Sequence, residues 1–180
     1  MLLCAFSVAV AQPLAAGTSE PTASEYQLKA VFLFNFTQFV EWPANTFPAP
    51  DAPFVIGVLG KDPFGAQLDA VVRGEHVESH PLVVERYAST GQIQNCQILF
   101  IARGDSSLQS VPEQVKGRRI LTVTDADERD LPGIIIRLVT RDQHVRLRID
   151  VGAARADELT ISSKLLRPAE IVDSATGVRQ

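Results

Sequence analysis

Phe54-Val55-Ile56-Gly57-Val58-Leu59 carries no polar side chain, and Gly60-Lys61-Asp62-Pro63-Phe64-Gly65 follows it directly. A strand with one wet face alternates apolar and polar residues. An unbroken apolar run bounded by turn residues is what a strand buried on both faces looks like. Asp62 suits a helix N-cap and Pro63 the first helical position, so a helix is expected from there to about Val72. Buried strand, tight turn and helix together make the opening unit of a parallel α/β sheet.

The same unit recurs downstream. Pro81 to Tyr87 carries Leu82, Val83 and Val84 and predicts a second strand; a short loop or helix from Ser89 leads to a third, Gln97 to Ile101. Val111 to Lys116, opened by Ser110 and Pro112, predicts a short helix, and Ile120 to Val123 another buried strand. The last third changes character. Ile134–Val139 and His144–Ile149 are separated by Thr140-Arg141-Asp142-Gln143, the pattern of a hairpin. Val145, Leu147 and Ile149 alternate with His144, Arg146, Arg148 and Asp150, as expected near a sheet edge. The predicted fold is therefore three-layer α/β: a mostly parallel sheet of about five to six strands, helices on both faces, and an antiparallel C-terminal hairpin. Val151–Asp157 is expected to be a short helix, and Leu159–Leu166 the last apolar segment before Arg167 and Pro168.

Upstream, Ser24 to Trp42 is the longest periodic segment. Leu28, Val31, Phe32, Asn35, Phe36, Phe39 and Val40 recur at helical steps, with Ser24 and Gln27 placed for a capping box and Pro43 as the stop. Leu33 and Phe34 widen the apolar surface beyond one stripe. Such a helix must be covered nearly all round, by its own domain or by a partner. Residues 1–11 are apolar apart from Ser7 and end in Ala9-Val10-Ala11, the layout of a cleaved secretory leader that is too short to span a bilayer. No Lys or Arg precedes the apolar stretch, so the true start is expected upstream. Residues 12–24, rich in Ala with Pro13, Gly17 and Pro21, predict a flexible tether. One domain over 25–172 and a disordered tail over 173–180 complete the expected layout.

Hydrophobic residues make up 46% of the 180-residue chain, and the formal net charge is −4. An acidic balance argues against nucleic acid, whose binding needs a cationic footprint. Of two cysteines, Cys4 would leave with the leader, so the mature chain keeps Cys96 without an intramolecular partner. Cys96 opens a strand-like run and is read as a small buried hydrophobe, with an intermolecular disulfide or reactive thiol as the sharper alternative.

Three constellations could carry chemistry. Gly57-x-x-Gly60 with Gly65 follows a strand, yet its spacing matches neither the dinucleotide nor the P-loop fingerprint. His76, Glu78 and His80 would share one face of a strand, a possible metal platform without a further ligand, and no metal site is assigned. Asp125, Asp127, Glu128 and Asp130 follow a predicted strand end, where ligands of open α/β sheets bind. Gly60, Asp62 and Asp125 are accordingly the candidate ligand-binding residues. The paired serines, Ser106-Ser107 and Ser162-Ser163, lie in no nucleophile motif, so no catalytic residue and no cofactor is assigned.

Several blocks together resemble one family. Glu25 to Phe36 closed by Glu41-Trp42-Pro43, Gly57 to Gly65, Cys96 to Ile101, Ile120 to Asp125, Val145 to Asp150 and Ile161 to Arg167 occur in the order found in the YfiR/HmsC-like periplasmic proteins. What the resemblance implies is regulation. Such proteins repress an inner-membrane diguanylate cyclase by contacting its periplasmic sensor domain, lowering cyclic di-GMP and biofilm output. An outer-membrane lipoprotein can sequester the repressor, and homodimers and small-ligand effects belong to the same picture. Family members often hold the counterpart of Cys96 in a disulfide, for which this chain has no partner cysteine. A repressor of this kind needs an exposed apolar patch; the apolar ending Leu159, Ile161, Leu165 and Leu166, with Arg167 beside it, is the candidate partner-binding surface. Two other readings stay open: a periplasmic small-ligand binding module using the crevice near Gly60 and Asp125, and an exported hydrolase.

Overall fold

The structure, a computed structural model, describes residues 22–128 and 131–172. The leader over 1–11, residues 12–21 of the tether expected over 12–24, Asp130 and the tail over 173–180 lie outside the described residues, while Thr22, Ala23 and Ser24 belong to the start of the first helix rather than to a tether. The chain opens with helix α1 (Ala23–Phe39), followed by β1 (Val40–Glu41). Then come β2 (Phe54–Leu59), α2 (Ala66–Val72), β3 (His76–Val77), β4 (His80–Tyr87), β5 (Ile98–Ile101), α3 (Val111–Val115) and β6 (Leu121–Thr124). β7 (Ile136–Arg141) and β8 (His144–Asp150) lead to α4 (Val151–Ala156), β9 (Thr160–Ile161), α5 (Ser163–Leu166) and β10 (Glu170–Val172).

The main sheet has eight strands in the order β10-β8-β7-β6-β5-β2-β4-β3. β4, β2, β5, β6 and β7 run parallel, and the β7–β8 hairpin closes them antiparallel. This is the mixed α/β sheet that the apolar runs predict. The additional strands are the edges, β3 and β10, each too short to show a period in sequence. β2 is buried at every position. Phe54, Ile56 and Val58 join the core under α1, α2, α4 and α5, with Leu33, Phe36, Leu68, Ala154 and Leu165. Leu59 joins a second core on the opposite face, with Cys96, Leu99, Ile101, Val111 and Val115. Gly57 lies against this second core: an added Cβ would come within 2.5 Å of the Tyr87 ring and 2.8 Å of Cys96 Sγ.

Three local expectations are corrected. The first concerns α1, whose N-cap is Thr22, accepting from the Glu25 N–H, rather than Ser24 with Gln27. Its buried residues are Lys29, Ala30, Leu33, Phe36 and Thr37, whereas Leu28 and Val31 are exposed. The second half of the predicted stripe, Phe32, Phe36, Phe39 and Val40, does face the core, whereas its first half, Leu28 and Val31, faces out and Lys29, Ala30 and Leu33 take its place inside. The second concerns Asp62, which caps a turn by accepting the Phe64 N–H at 2.7 Å; α2 starts only at Ala66, after Gly65 at φ 54°. The third concerns the β7–β8 turn, which tightens to Asp142-Gln143, both at positive φ (50° and 61°). That is the conformation of a two-residue turn whose twist matches its strands.

Candidate functional site

Chain order reverses between β2 and β5. From β2 the chain crosses to β4 on one side and then returns to β5 on the other. At such a reversal the loops leaving the strand carboxyl ends diverge and leave a crevice between them. Here that crevice is a cleft of about 720 Å³. Lys61 and Pro63 line it after β2, Ala102 to Asp105 after β5, and Ala126 to Glu128 after β6, while Tyr26 of α1 contributes from the first turn of the helix. Gly60, at φ 77°, makes the turn out of β2, and a side chain there would collide with the Asp105 carboxylate.

Beside the cleft lies a buried charge network. Lys29 on α1 is 1% exposed. Its ammonium donates to Asp125 at 2.8 Å and pairs with Glu25 at 2.6 Å. Asp125 also accepts from the Tyr26 hydroxyl at 3.0 Å and from the Arg103 N–H at 2.8 Å. Glu25 accepts in turn from Thr140 on β7 at 2.6 Å. Burial by itself would raise the Glu25 carboxyl, but the hydrogen bonds from Lys29 and Thr140 outweigh it and hold the group below its usual range. Burial, reinforced by the Asp125 charge, pushes the Tyr26 phenol well above its ordinary value, so it remains a donor. A buried lysine is tolerated only when it is paired this fully.

Of the candidate ligand residues, Gly60 and Asp125 adjoin the lining residues Lys61 and Ala126 without lining the cleft themselves, and the Asp125 carboxylate is fully buried in the network with Lys29. Asp62 points elsewhere: its second oxygen binds Arg86 at 2.7 Å, and Arg86 continues to Asp69 on α2. The histidine platform does not form. His76 and His80 stand on opposite strands of the β3–β4 hairpin, with Glu78 in its turn at φ 54°. The His80 ring is buried, 2.7 Å from the Ala52 carbonyl oxygen and stacked on Phe47. Ser107 bonds Asp105, and Ser162 caps α5. Among the described residues no serine hydroxyl meets a histidine. Cys96 is a free buried thiol that donates to the Ile98 carbonyl at 3.0 Å, and burial pushes it up to about 12, in keeping with a small apolar core residue.

The apolar ending divides. Leu159 and Leu165 are buried in the core, Ile161 and Leu166 are half-buried, and Arg167 is exposed. β9 pairs antiparallel with β1, Val40 against Ile161, and the Ser162 N–H bonds the Phe39 carbonyl at 2.8 Å. The ending is thereby tied to the C-terminal end of α1. The outer face of α1 is the surface that apolar spacing concealed. Leu28 is 45% and Val31 39% exposed, with Asn35 next along the same stripe. The helix has two charged residues, Glu25 and Lys29, and both are committed to the network beside the cleft. The sign available in sequence is a helix whose apolar residues spread beyond one stripe, with a lysine in the third position after Tyr26.

Among the described residues no helix is long and apolar enough to cross a membrane. No curated protein matches the chain. A family model does match, over residues 26–170, from Tyr26 at the cleft to Glu170 at the start of β10. The family it describes acts in the periplasm, in the regulation of cyclic di-GMP signalling, and is regulatory rather than catalytic. The chain belongs to the YfiR/HmsC-like family.

Proposed function

We propose that this protein, exported by a cleaved leader, represses a membrane-bound diguanylate cyclase by binding its periplasmic sensor domain, and so lowers cyclic di-GMP and biofilm output. One observation carries the reading: α1 presents an uncharged outer face with Leu28 and Val31 open to solvent. Interface cores are depleted in charge and built around apolar anchors. Ile161 and Leu166 extend the apolar character at the far end of the helix, and Arg167 supplies a polar rim. The working form on this reading is a homodimer, and an outer-membrane lipoprotein that covers the same face would free the cyclase.

Two measurements test it. The exported protein should copurify with the periplasmic sensor region of an inner-membrane diguanylate cyclase, and its deletion should raise cellular cyclic di-GMP. Unchanged cyclic di-GMP on deletion would sink the proposal.

A further inference from the structure

β4 is longer than the strand that covers it. Its outer neighbour β3 pairs only His76 with Pro81 and Val77 with His80, whereas β4 runs on to Tyr87. The Leu82 N–H turns outward to the Glu75 carbonyl at 2.9 Å. Backbone groups alternate sides along a strand, so those of Val84 and Arg86 also turn outward, where no described strand lies. The Tyr87 carbonyl keeps the same phase on the inner side, accepting from the Gly60 N–H at 2.9 Å. Proteins commonly guard such an edge with a charged side chain. Here Arg86 is folded back onto Asp62, Asp69 and the Gly65 carbonyl, so the edge stays open.

A pocket adjoins this edge. Phe54, Ile56, Leu82 and Val84 pack toward α1, so Val55, Val83 and Glu85 face the other side of the sheet. There a hollow of about 150 Å³ opens between β4 and the loops that lead into β2 and β5. Ala52, Pro53 and the buried Val55 give it apolar walls, and Glu85, Gln94 and Asn95 a polar rim. The side chains of Gln94 and Asn95 make no hydrogen bond with any described residue. Glu85 is exposed and pairs with no cation among the described residues. The Tyr87 hydroxyl donates to one of its oxygens at 2.7 Å and steadies the carboxylate, leaving the other oxygen to accept. Arg118, which borders the same loop, is spent on the Ile93 and Gln94 carbonyls.

An open strand edge takes up an extended chain through main-chain hydrogen bonds, and a pocket beside it selects among alternate side chains. Apolar walls with an unpaired carboxylate at the rim suit one long basic side chain, whose methylenes lie on the walls while its charge meets Glu85. We propose that β4 docks an extended segment of a partner protein, which adds as a strand beside Val84 and Arg86 and sets a lysine or arginine against Glu85 in the pocket. Val83, half-buried on the same face, favours a β-branched residue two positions from the basic one. The site lies on the face of the sheet opposite α1, so it stands or falls independently of docking through that helix.

The test titrates the full chain, by fluorescence anisotropy, against labelled, end-capped heptapeptides of alternating threonine and valine whose central residue is lysine, norleucine or glutamate. Two further lysine peptides are N-methylated on the odd or on the even amides. The lysine peptide should bind saturably, with the norleucine and glutamate peptides weaker by about fivefold or more. At least one N-methylated peptide should lose about tenfold, because the amides that meet β4 can no longer donate. Glu85→Gln should bring the lysine peptide down to the level of the norleucine peptide and leave the latter unchanged. Val84→Pro removes an outward N–H without touching the β2 ladder and should weaken every peptide. The Glu85 side chain is exposed, so Glu85→Gln should melt as wild type; it and the N-methylated peptides carry the test if Val84→Pro does not fold. The proposal is overturned if the peptides bind alike or not at all, if neither N-methylated peptide loses affinity, or if Glu85→Gln binds the lysine peptide as wild type. It also falls if Val84→Pro turns a wild-type dimer into a monomer in sedimentation, which would give the edge to a second copy of the chain.

Discussion

β2 and α1 are both rich in apolar residues, but they sit in the molecule in opposite ways. β2 is enclosed at all six positions, between two cores. α1 buries one side and leaves Leu28 and Val31 in solvent. A strand that is apolar throughout has only one stable location, the middle of a covered sheet. A helix whose apolar residues spread beyond one stripe can face the core with more than one side, and other groups must decide. In α1 the deciding groups are the charged ones. Lys29 pairs with Glu25 one turn back on the helix and with Asp125 beneath it, and this pairing goes with Ala30, Leu33 and Phe36 facing inward and Leu28 outward.

The comparison breaks first at Lys29. Lys29→Met should cost about 3–5 kcal/mol, because Asp125 is left as a buried charge without its cation. Urea denaturation measures this, and adding Asp125→Leu should recover only part of the loss, since the Tyr26 hydroxyl and the Arg103 N–H would then lose their acceptor. Ile56→Ala in β2 should cost about 2–4 kcal/mol by opening a cavity at a fully enclosed position. Gly57→Ala should cost about 1–3 kcal/mol through overpacking against Tyr87 and Cys96, on the same strand but by the opposite fault.

A smaller effect follows from Glu25. Its folded carboxyl titrates below the ordinary value of 4.5, so its contribution is complete above that value and is lost as pH falls through the folded pKa. Glu25→Gln should lower stability above about pH 4.5, where that contribution is complete, and converge on wild type as pH falls through the folded pKa, which flattens the acid side of the curve. Smallest of all is Leu28→Ser, which should alter stability by no more than about 0.5 kcal/mol. A loss several times larger would mean that Leu28 is part of the core and that the outer face of α1 has been misassigned.

Legibility followed the same divide. The apolar runs at 54–59, 97–101 and 120–123 and the alternation at 144–149 carried enough information for the sheet and its closing hairpin. Burial on both faces, or on one, leaves a period in the sequence. The short edges β3 and β10, the β1–β9 ribbon and the late start of α2 left none, because they depend on partners distant in the chain. That Gly60 and Asp125 follow the carboxyl ends of strands was legible in the sequence, whereas the commitment of Asp62 to Arg86 was not. Apolar character alone marked Leu159 to Leu166 as a surface; packing placed Leu159 and Leu165 in the core instead. The exposed stripe of α1 was hidden for the converse reason, since its residues resemble core residues in every property except location.

The most direct test of the account is titration of a purified periplasmic sensor domain of the cyclase with the wild-type chain and with Leu28→Glu/Val31→Glu. The account predicts that the variant stays folded and binds at least about tenfold more weakly, since a charge is placed in an interface core that excludes it. Equal binding by the folded variant would contradict the claim that α1 docks the partner.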